Sequence, residues 1–257
     1  MLNILLSILI FLLGASIGSF LNVLAYRIPL HISFISKRSF CPHCKKNIGV
    51  FSLIPVLGYL FVGGRCQHCK AEISWQYPFV ELLVGTLTTF LFFKPIIFGT
   101  NFEYSFIIVP LFASLWLLYS GTVLSIIDIR HGILPDVIVL PGIVVGFLIS
   151  CFNPQVGWSA SLLGILIGSG GLFLISKLFE LLRKKEGMGM GDIKYLGFLG
   201  AVLGPHGIIF TLVIASILGS VYGIVLGILN KRGLSTTLPF GPFLALGAFL
   251  VNVVGLG

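Results

Sequence analysis

An all-α membrane protein, a polytopic bundle of about eight transmembrane helices, is the fold class that this sequence predicts, and three observations predict it. Of the 257 residues, 57% are hydrophobic and only 9% are charged, whereas soluble domains carry about 25% charged residues. The mean hydropathy is +1.10. The apolar residues form long runs that short basic loops separate. A lipid bilayer must therefore cover most of the exterior.

Eight apolar runs follow one another along the chain. Backbone groups in lipid must be paired within their own segment, so each run predicts a helix, and the alternating strands of a membrane barrel are not visible in the sequence. The sixth run is short and ends at the turn residues of 204–207. The predicted helices cover residues 2–24, 76–98, 104–127, 137–153, 157–180, 192–204, 207–229 and 238–256.

The first run predicts a retained transmembrane helix (residues 1–24) and not a cleaved signal peptide. No basic residue precedes it, since the first basic side chain is that of Arg27. The run is also long enough to cross a hydrocarbon core of about 30 Å.

The basic residues predict the orientation of the helices. With both termini outside, the cytoplasmic connections hold fifteen of the sixteen Lys and Arg residues, and Lys94 is the exception. This agrees with the positive-inside rule. The net charge of +8 is spread over these short loops and forms no basic stripe, so we expect no nucleic-acid binding. The fifteen are Arg27, Lys37, Arg38, Lys45, Lys46, Arg65, Lys70, Arg130, Lys177, Arg183, Lys184, Lys185, Lys194, Lys231 and Arg232.

Residues 25–75 are polar, basic and Cys-rich, and they predict a small cytoplasmic subdomain that resembles a zinc ribbon. It contains two CxxC pairs, Cys41 with Cys44 and Cys66 with Cys69, with 21 residues between them. This spacing suits one tetrahedral Zn²⁺ held by four thiolates, which would supply the folding energy that so small a loop lacks. Unliganded thiols and two disulfides are the alternatives, and the reducing cytosol disfavours disulfides. A redox CxxC motif would not need two pairs. His43 and His68 are alternative ligands.

Two further features of the cysteines limit what they can do. A closed four-thiolate site leaves no open position for a substrate or water, and no HExxH motif is present, so metallopeptidase chemistry is not indicated. The fifth cysteine, Cys151, stands alone in an apolar run, where a cysteine is usually a small core residue.

Two aspartates stand at the predicted cytoplasmic ends of apolar helices. Asp128 ends the third helix and Asp192 begins the sixth, so the topology predicts that both lie at one membrane face and at similar depth. Ionisable groups in such positions are costly and are functional candidates. Two converging carboxylates can share a proton and hold a water, which suits general acid–base hydrolysis. Helix capping is the alternative for Asp128 and for Asp136.

Three glycines precede Asp192. Gly187, Gly189 and Gly191 allow positive φ angles and close backbone approach, so a carboxylate at this turn could face a peptide strand. A plain loop-to-helix turn is the alternative. A nucleotide-binding loop is not indicated, because no β-strand precedes the glycines.

The chain resembles the type IV prepilin leader peptidases, bacterial membrane enzymes that are also called leader peptidase/N-methyltransferases. The resemblance covers almost the whole length, and its motifs come in the family's order. They are GSFLNV at 18–23 with RIP at 27–29, the paired CxxC knuckles, ISWQYPFVEL at 73–82, the Asp128 segment with LPD at 134–136, the GxGD motif at 189–192, and LPFGPF at 238–243.

This resemblance implies that Asp128 and Asp192 are the catalytic pair of a GxGD-type aspartic peptidase within residues 76–257. The implied substrates are prepilins or pseudopilins of a pilus or type II secretion system, cut after the Gly that ends a basic leader. The implied second activity N-methylates the new terminal Phe with S-adenosylmethionine in the bacterial inner membrane. Its residues are not identified, although Glu81 and the cytoplasmic loop are candidates. Asp136 is left out of the pair.

Two other classes of function compete with this interpretation. A transporter could use intramembrane carboxylates as a proton relay, but the short sixth helix has no counterpart in the first half of the chain. A zinc-anchored membrane assembly protein would work without either aspartate.

Overall fold

The computed structural model describes residues 2–33, 39–97, 105–183, 189–230 and 238–255. Within these ranges the fold is all-helical, with two isolated β-bridges and no strand. The chain divides into two compact units, Met1–Thr100 and Asn101–Gly257. Some residues on which the sequence predictions rest lie outside the described ranges, namely Lys37, Arg38, Lys184, Lys185, Gly187, Lys231 and Arg232.

The first unit is built on two long apolar helices, α1 (Leu2–Arg27) and α3 (Gln76–Ile97). The loop between them contains a 3₁₀ turn (Val50–Leu53) and the short helix α2 (Leu57–Phe61). Small residues let the two long helices approach closely, as is common in membranes. A Cβ at Gly14 would lie 2.8 Å from Thr88, and a Cβ at Gly18 would lie 3.0 Å from the Glu81 backbone.

The second unit packs around α8 (Met190–Asn230). Its core includes Tyr195, Phe198 and Leu199, which are at most 1% exposed. The other elements, in chain order, are α4 (Ser105–His131), α5 (Asp136–Phe152), α6 (Gly157–Ile165), a π-helical turn (Leu166–Gly171), α7 (Leu172–Arg183) and α9 (Gly241–Val254).

Helix α8 reverses at Gly204, whose φ of 71° and ψ of −173° are not helical. Gly168 lies against both Leu196 and Ile208, which would be about 18 Å apart on a straight helix. The chain must therefore fold back between them. This confirms the turn predicted at 204–207, and Gly supplies it because a positive φ strains other residues.

Each of the eight predicted apolar runs is helical over most of its described residues, but α5 ends at Phe152 and α9 begins only at Gly241, so residues 153 and 238–240 are not helical. Among the described residues, five helical segments are long and apolar enough to cross a membrane: Ile4–Arg27, Gln76–Pro95, Ile108–His131, Gly157–Leu182 and Met190–Leu229. The last of these, folded at Gly204, has 40 residues, which is about twice the length that one crossing needs. Helices α5 and α9 are apolar but shorter. The count of eight spans stays a prediction.

Two details differ from the sequence predictions. Helix α4 continues to His131, past the predicted end at residue 127, so Asp128 lies within its last turn. Cys151 is exposed on α5 and is not a core residue, because the face of this part of the helix that meets the bundle carries Ile149 and Ser150 instead.

The contact between α6 and the first half of α8 generates a prediction. A Cβ at Gly200 would overlap the backbone of Gly164, whereas a Cβ at Gly170 would have no heavy atom within 4 Å. We expect Gly200→Ala to lower the thermal midpoint of the purified protein, since overpacking costs about 1–3 kcal/mol.

Gly170→Ala is the matched control. It should leave the midpoint unchanged or raise it, because Ala is favoured over Gly in helices by about 1 kcal/mol. Equal midpoints for the two variants in a thermal-shift measurement would contradict the described packing.

Candidate active site

Asp128 is buried near the carboxyl end of its own helix, a position that disfavours negative charge. Its Oδ2 accepts a hydrogen bond of 2.8 Å from the backbone N–H of Gly241. Gly241 is the first residue of α9, and its N–H has no partner within that helix. Asp128 thus caps the start of another helix across the bundle, and that amide fixes one of its oxygens.

Asp192 lies in the first turn of α8 and is partly buried. A Cβ added to Gly189 would come within 3.2 Å of Asp192 Oδ2, so the carboxyl group folds over the start of its own helix. A helix amino end favours a carboxylate at that point.

The structure brings the two aspartates into one region. Asp128 binds the amide of Gly241, Asp192 follows Gly191 in the chain, and both glycines lie against Leu134. A Cβ at Gly191 would lie 3.2 Å from Leu134 Cβ, and a Cβ at Gly241 would lie 3.2 Å from Leu134 Cδ2. The end of α4 and the starts of α8 and α9 therefore meet around Leu134.

Such a carboxylate pair is suited to acid–base chemistry. Repulsion favours a state in which one carboxyl group keeps a proton while the other is ionised. The amide of Gly241 occupies Oδ2 of Asp128, so the other oxygen of Asp128 is the one placed to exchange a proton. A base and an acid at one point are what the hydrolysis of a neutral bond by water requires.

Asp136 has a different environment. It begins α5, and both of its carboxylate oxygens accept hydrogen bonds from Nζ of Lys194, at 2.9 and 2.8 Å. The pair is partly exposed. It ties the loop before α5 to the first turns of α8, which supports leaving Asp136 out of the pair.

Two expectations about the glycines of the GxGD segment have different outcomes. Neither Gly189 nor Gly191 has a positive φ, so that prediction is wrong for both. Gly191 lies in the first turn of α8, and the Gly189 carbonyl oxygen accepts the first hydrogen bonds of that helix, from the N–H groups of Asp192 and Ile193. The close approach is present, since Gly191 contacts Leu134. Gly187 lies outside the described residues.

The four predicted metal ligands form one cluster. The sulfur atoms of Cys41, Cys44, Cys66 and Cys69 all lie within 4.8 Å of one another, and those of Cys41 and Cys69 are 3.8 Å apart. Four thiolates at this spacing suit a single tetrahedral ion. The cluster could hold a metal ion.

The two CxxC knuckles have the same local structure, although the sequence showed no convincing repeat. In each, the residue after the second cysteine has a positive φ, 57° at Lys45 and 60° at Lys70. Its N–H bonds back to the first cysteine, Cys41 or Cys66. The bridges Phe40–Asn47 and Arg65–Glu72 close the knuckles. Each knuckle thus turns its two sulfurs toward one point.

The thiols of the cluster differ in how readily they ionise. Backbone hydrogen bonds from Cys69 and His68 lower the pKa of the Cys66 thiol to about 6. The amide of Ala71 also lowers the pKa of the Cys69 thiol, but partial loss of water and the other sulfurs outweigh it and raise that pKa to about 11. Four ionised thiols therefore need a cation among them.

Glu81, the candidate for the second activity, is buried in α3. Its Oε2 accepts the backbone N–H of Val56 at 2.7 Å. Nearby, Asn22 accepts a hydrogen bond of 3.1 Å from Gln76 and donates one to the carbonyl oxygen of Tyr77. The carboxylate of Glu81 therefore has a structural role, because it binds the backbone of the loop at Val56.

Two residues of the site have roles that the sequence analysis did not assign. Gly241 lay in a quoted motif without a function, and Lys194 was counted only as a loop cation. The Gly–Pro step at 241–242 was the available signal, since Pro is common in the first turn of a helix and the start of a helix offers free N–H groups.

Comparison with known proteins gives two matching family models. Residues 12–95 match the bacterial peptidase A24 N-terminal domain, and residues 111–224 match the type IV leader peptidase family. The chain is similar to prepilin leader peptidase/N-methyltransferases of Stutzerimonas stutzeri (32% identity, 95% of this chain and 89% of the relative), Pseudomonas putida (33%, 95% and 88%) and Dichelobacter nodosus (32%, 95% and 90%). No solved structure gave a significant match.

The bond between Asp128 and Gly241 generates a stability prediction. Asp128→Ala removes the acceptor and leaves a buried N–H without a partner, which costs about 1–3 kcal/mol. Asp128→Asn keeps an oxygen at this position. We expect Asp128→Ala to have the lower thermal midpoint of the two variants. A midpoint for Asp128→Ala equal to or above that of Asp128→Asn would show that this bond does not support α9.

Proposed function

Because this chain belongs to the type IV leader peptidase family, we propose that it is a bacterial membrane aspartic peptidase and N-methyltransferase of prepilin-like precursors. The observation that carries the peptidase proposal is that the helix ends bearing Asp128 and Asp192 meet around Leu134, with one oxygen of Asp128 held by the Gly241 amide.

Asp128 and Asp192 are the proposed catalytic pair. The ionised carboxylate takes a proton from a water as that water attacks the peptide carbonyl carbon. The protonated partner donates its proton to the carbonyl oxygen, which gives a tetrahedral diol. As the C–N bond breaks, the carboxyl group that took the water's proton gives it to the leaving nitrogen, and its partner takes back a proton from a diol hydroxyl. No covalent bond to the enzyme forms. The hydrogen bond at Oδ2 of Asp128 leaves its other oxygen for this exchange.

The proposed substrates carry a short basic leader that ends in Gly, followed by an apolar helix that begins with Phe. The basic leader would remain in the cytoplasm and the apolar helix would enter the bilayer, so the junction would lie at the cytoplasmic interface. This proposal requires the orientation with both termini outside, in which the Cys cluster is also cytoplasmic. Pili and type II secretion are the assemblies that such substrates would serve.

The second proposed activity transfers a methyl group to the new terminal amine, and S-adenosylmethionine would supply that group. The residues near Glu81 do not make a recognisable site for it, because the Glu81 carboxylate and the Asn22 and Gln76 amides hold neighbouring parts of the chain. We therefore assign no residue to methyl transfer.

The proposed ion in the Cys cluster is Zn²⁺, with Cys41, Cys44, Cys66 and Cys69 as ligands. Their mutual spacing fits the ion, and four thiolates favour zinc over oxygen-seeking cations. Its proposed role is to fold the loop, since all four positions around it would be taken by protein.

Asparagine substitutions test the catalytic pair. We expect Asp128→Asn and Asp192→Asn each to lower the rate of cleavage of a synthetic prepilin by at least about 100-fold, because each removes one proton-transfer group. The measurement is single-turnover cleavage followed by mass spectrometry.

The control is Asp136→Asn, which lies near the same helix ends but only removes an exposed ion pair. Its rate should stay within about threefold of the parent rate, as such pairs contribute little. Cleavage at the parent rate by both of the other variants would end the peptidase proposal.

Metal analysis tests the cluster. We expect about one zinc ion per purified chain, lost in Cys66→Ser because three thiolates hold the ion less tightly. Cys151→Ser is the matched control, since Cys151 lies on α5 and outside the cluster, and it should keep its zinc. Equal zinc contents in the two variants would exclude the proposed ligand set.

A further inference from the structure

Between the two CxxC knuckles, residues 47–64 carry no charged side chain, and we call the twelve residues 50–61 within this stretch the apolar insert. It lies within the segment predicted to be a polar cytoplasmic subdomain, residues 25–75. It comprises the 3₁₀ turn and α2. Six of its large apolar side chains are between 37% and 79% exposed, namely Phe51, Leu53, Ile54, Leu57, Leu60 and Phe61.

Backbone packing turns these side chains outward. Leu57, Leu60 and Phe61 are spaced i, i+3 and i+4 and share one face of α2. On another side of α2, Gly58 lies so close to Ser52 that a Cβ would overlap the Ser52 carbonyl. The backbones of the 3₁₀ turn and α2 therefore pack against each other, and their large apolar side chains point away from this contact. In water such a patch would be a liability.

A hydrogen bond fixes the depth of the insert. The N–H of Val56 donates to Glu81 Oε2 at 2.7 Å. The apolar segment of α3 begins at Gln76, and five residues of helix advance about 7 Å, so Glu81 lies in its second turn. The middle of the insert is thus level with the interior of a membrane helix and does not lie beyond its end.

The backbone at this point is strained. Val56 has φ 63° and ψ −53°, and the N–H of Leu57 bonds to the carbonyl oxygen of Pro55 at 2.6 Å. This is a γ-turn of the rarer, strained kind, and a β-branched residue is unusual there. Strain of this type persists where the surroundings enforce it. The carboxylate of Glu81 is the group that receives the freed N–H.

The residues that flank the insert are of the kinds that contact a phospholipid surface. Exposed basic side chains flank it on both knuckles: Lys45, Lys46 and Lys70, together with Arg65, which pairs with Glu72 at 3.9 Å. Three of these cations have no acidic group within ion-pair distance among the described residues, and cations beside a bilayer attract anionic headgroups. Trp75 is 73% exposed and packs on the Tyr59 ring, with centroids 5.2 Å apart, and such aromatic residues concentrate at membrane interfaces. Twelve residues are too few to cross a bilayer.

We propose that the apolar insert dips into the bilayer leaflet next to the Cys cluster. Its exposed apolar side chains contact the upper acyl chains, while the basic knuckles remain among anionic headgroups. Glu81 is a positioning residue that holds the Val56 turn at this depth. The insert thereby anchors the Cys-rich loop to the membrane surface as an interfacial element.

Depth-dependent fluorescence quenching tests the proposal. In the full chain, Trp75, Trp116 and Trp158 are replaced by Phe, and a single Trp is then introduced by Phe61→Trp or, as the matched control in the second knuckle, by Gln67→Trp. The protein is reconstituted in phosphatidylglycerol with phosphatidylcholine brominated in the upper acyl chain. We expect fluorescence to fall by about half or more for Phe61→Trp and by about a tenth or less for Gln67→Trp. Equal quenching in the two variants would overturn the proposal and would indicate that protein covers the insert.

A second measurement needs no substitution. A lipid with a photoreactive group in the upper acyl chain is activated around the reconstituted parent protein, and the adducts are mapped by mass spectrometry. Adducts within 50–61 and none within 65–72 support the anchor. Adducts in both segments, or in neither, contradict it.

The role of Glu81 is tested in the protein whose single Trp comes from Phe61→Trp. Glu81→Gln keeps an oxygen for the Val56 N–H and should preserve quenching. Glu81→Leu removes the acceptor and should reduce quenching at least about twofold. Unchanged quenching in Glu81→Leu would show that Glu81 does not set the depth of the insert.

Discussion

A carboxylate inside an apolar bundle needs a partner, and the arrangement of the second unit depends on how that need is met for Asp128. The partner is the backbone N–H of Gly241, at 2.8 Å, from the first turn of another helix. This bond satisfies a helix end and a buried acid together. If only carbonyl groups or apolar side chains surrounded Asp128, its carboxylate would have no hydrogen-bond donor. The first N–H of α9 would likewise have no acceptor.

The same local packing explains why Asp192 lies nearby. Leu134 contacts both Gly191 and Gly241, so the loop before α5 acts as a spacer between the ends of three helices. The Lys194–Asp136 ion pair ties that loop to α8 at its solvent side. Glycine is needed at 241 because a Cβ there would lie 2.8 Å from Asp128 Oδ2. Leu134, Gly191 and Gly241, which look like ordinary loop or turn residues in the sequence, therefore determine the geometry of the site.

The sequence was sufficient for the long apolar helices, the reversal at Gly204 and the Cys cluster, because hydrophobic runs and CxxC spacing are local signals. It could not assign a role to Gly241, since the bond to Asp128 joins residues 113 positions apart. It also predicted positive φ angles at Gly189 and Gly191, where helix formation took precedence. The apolar insert was overlooked because two basic, Cys-rich knuckles dominate the composition around it. A strained turn at Val56 has no sequence signature at all.

The account of the second unit comes down to two carboxyl groups, Asp128 and Asp192, that share one proton. Infrared spectroscopy of the purified protein in the carboxyl stretching region measures this directly. The account predicts a band of a protonated carboxyl group at neutral pH that shifts or disappears in Asp128→Asn and also in Asp192→Asn. A spectrum that neither substitution alters would contradict it, because the two side chains would then not share a proton.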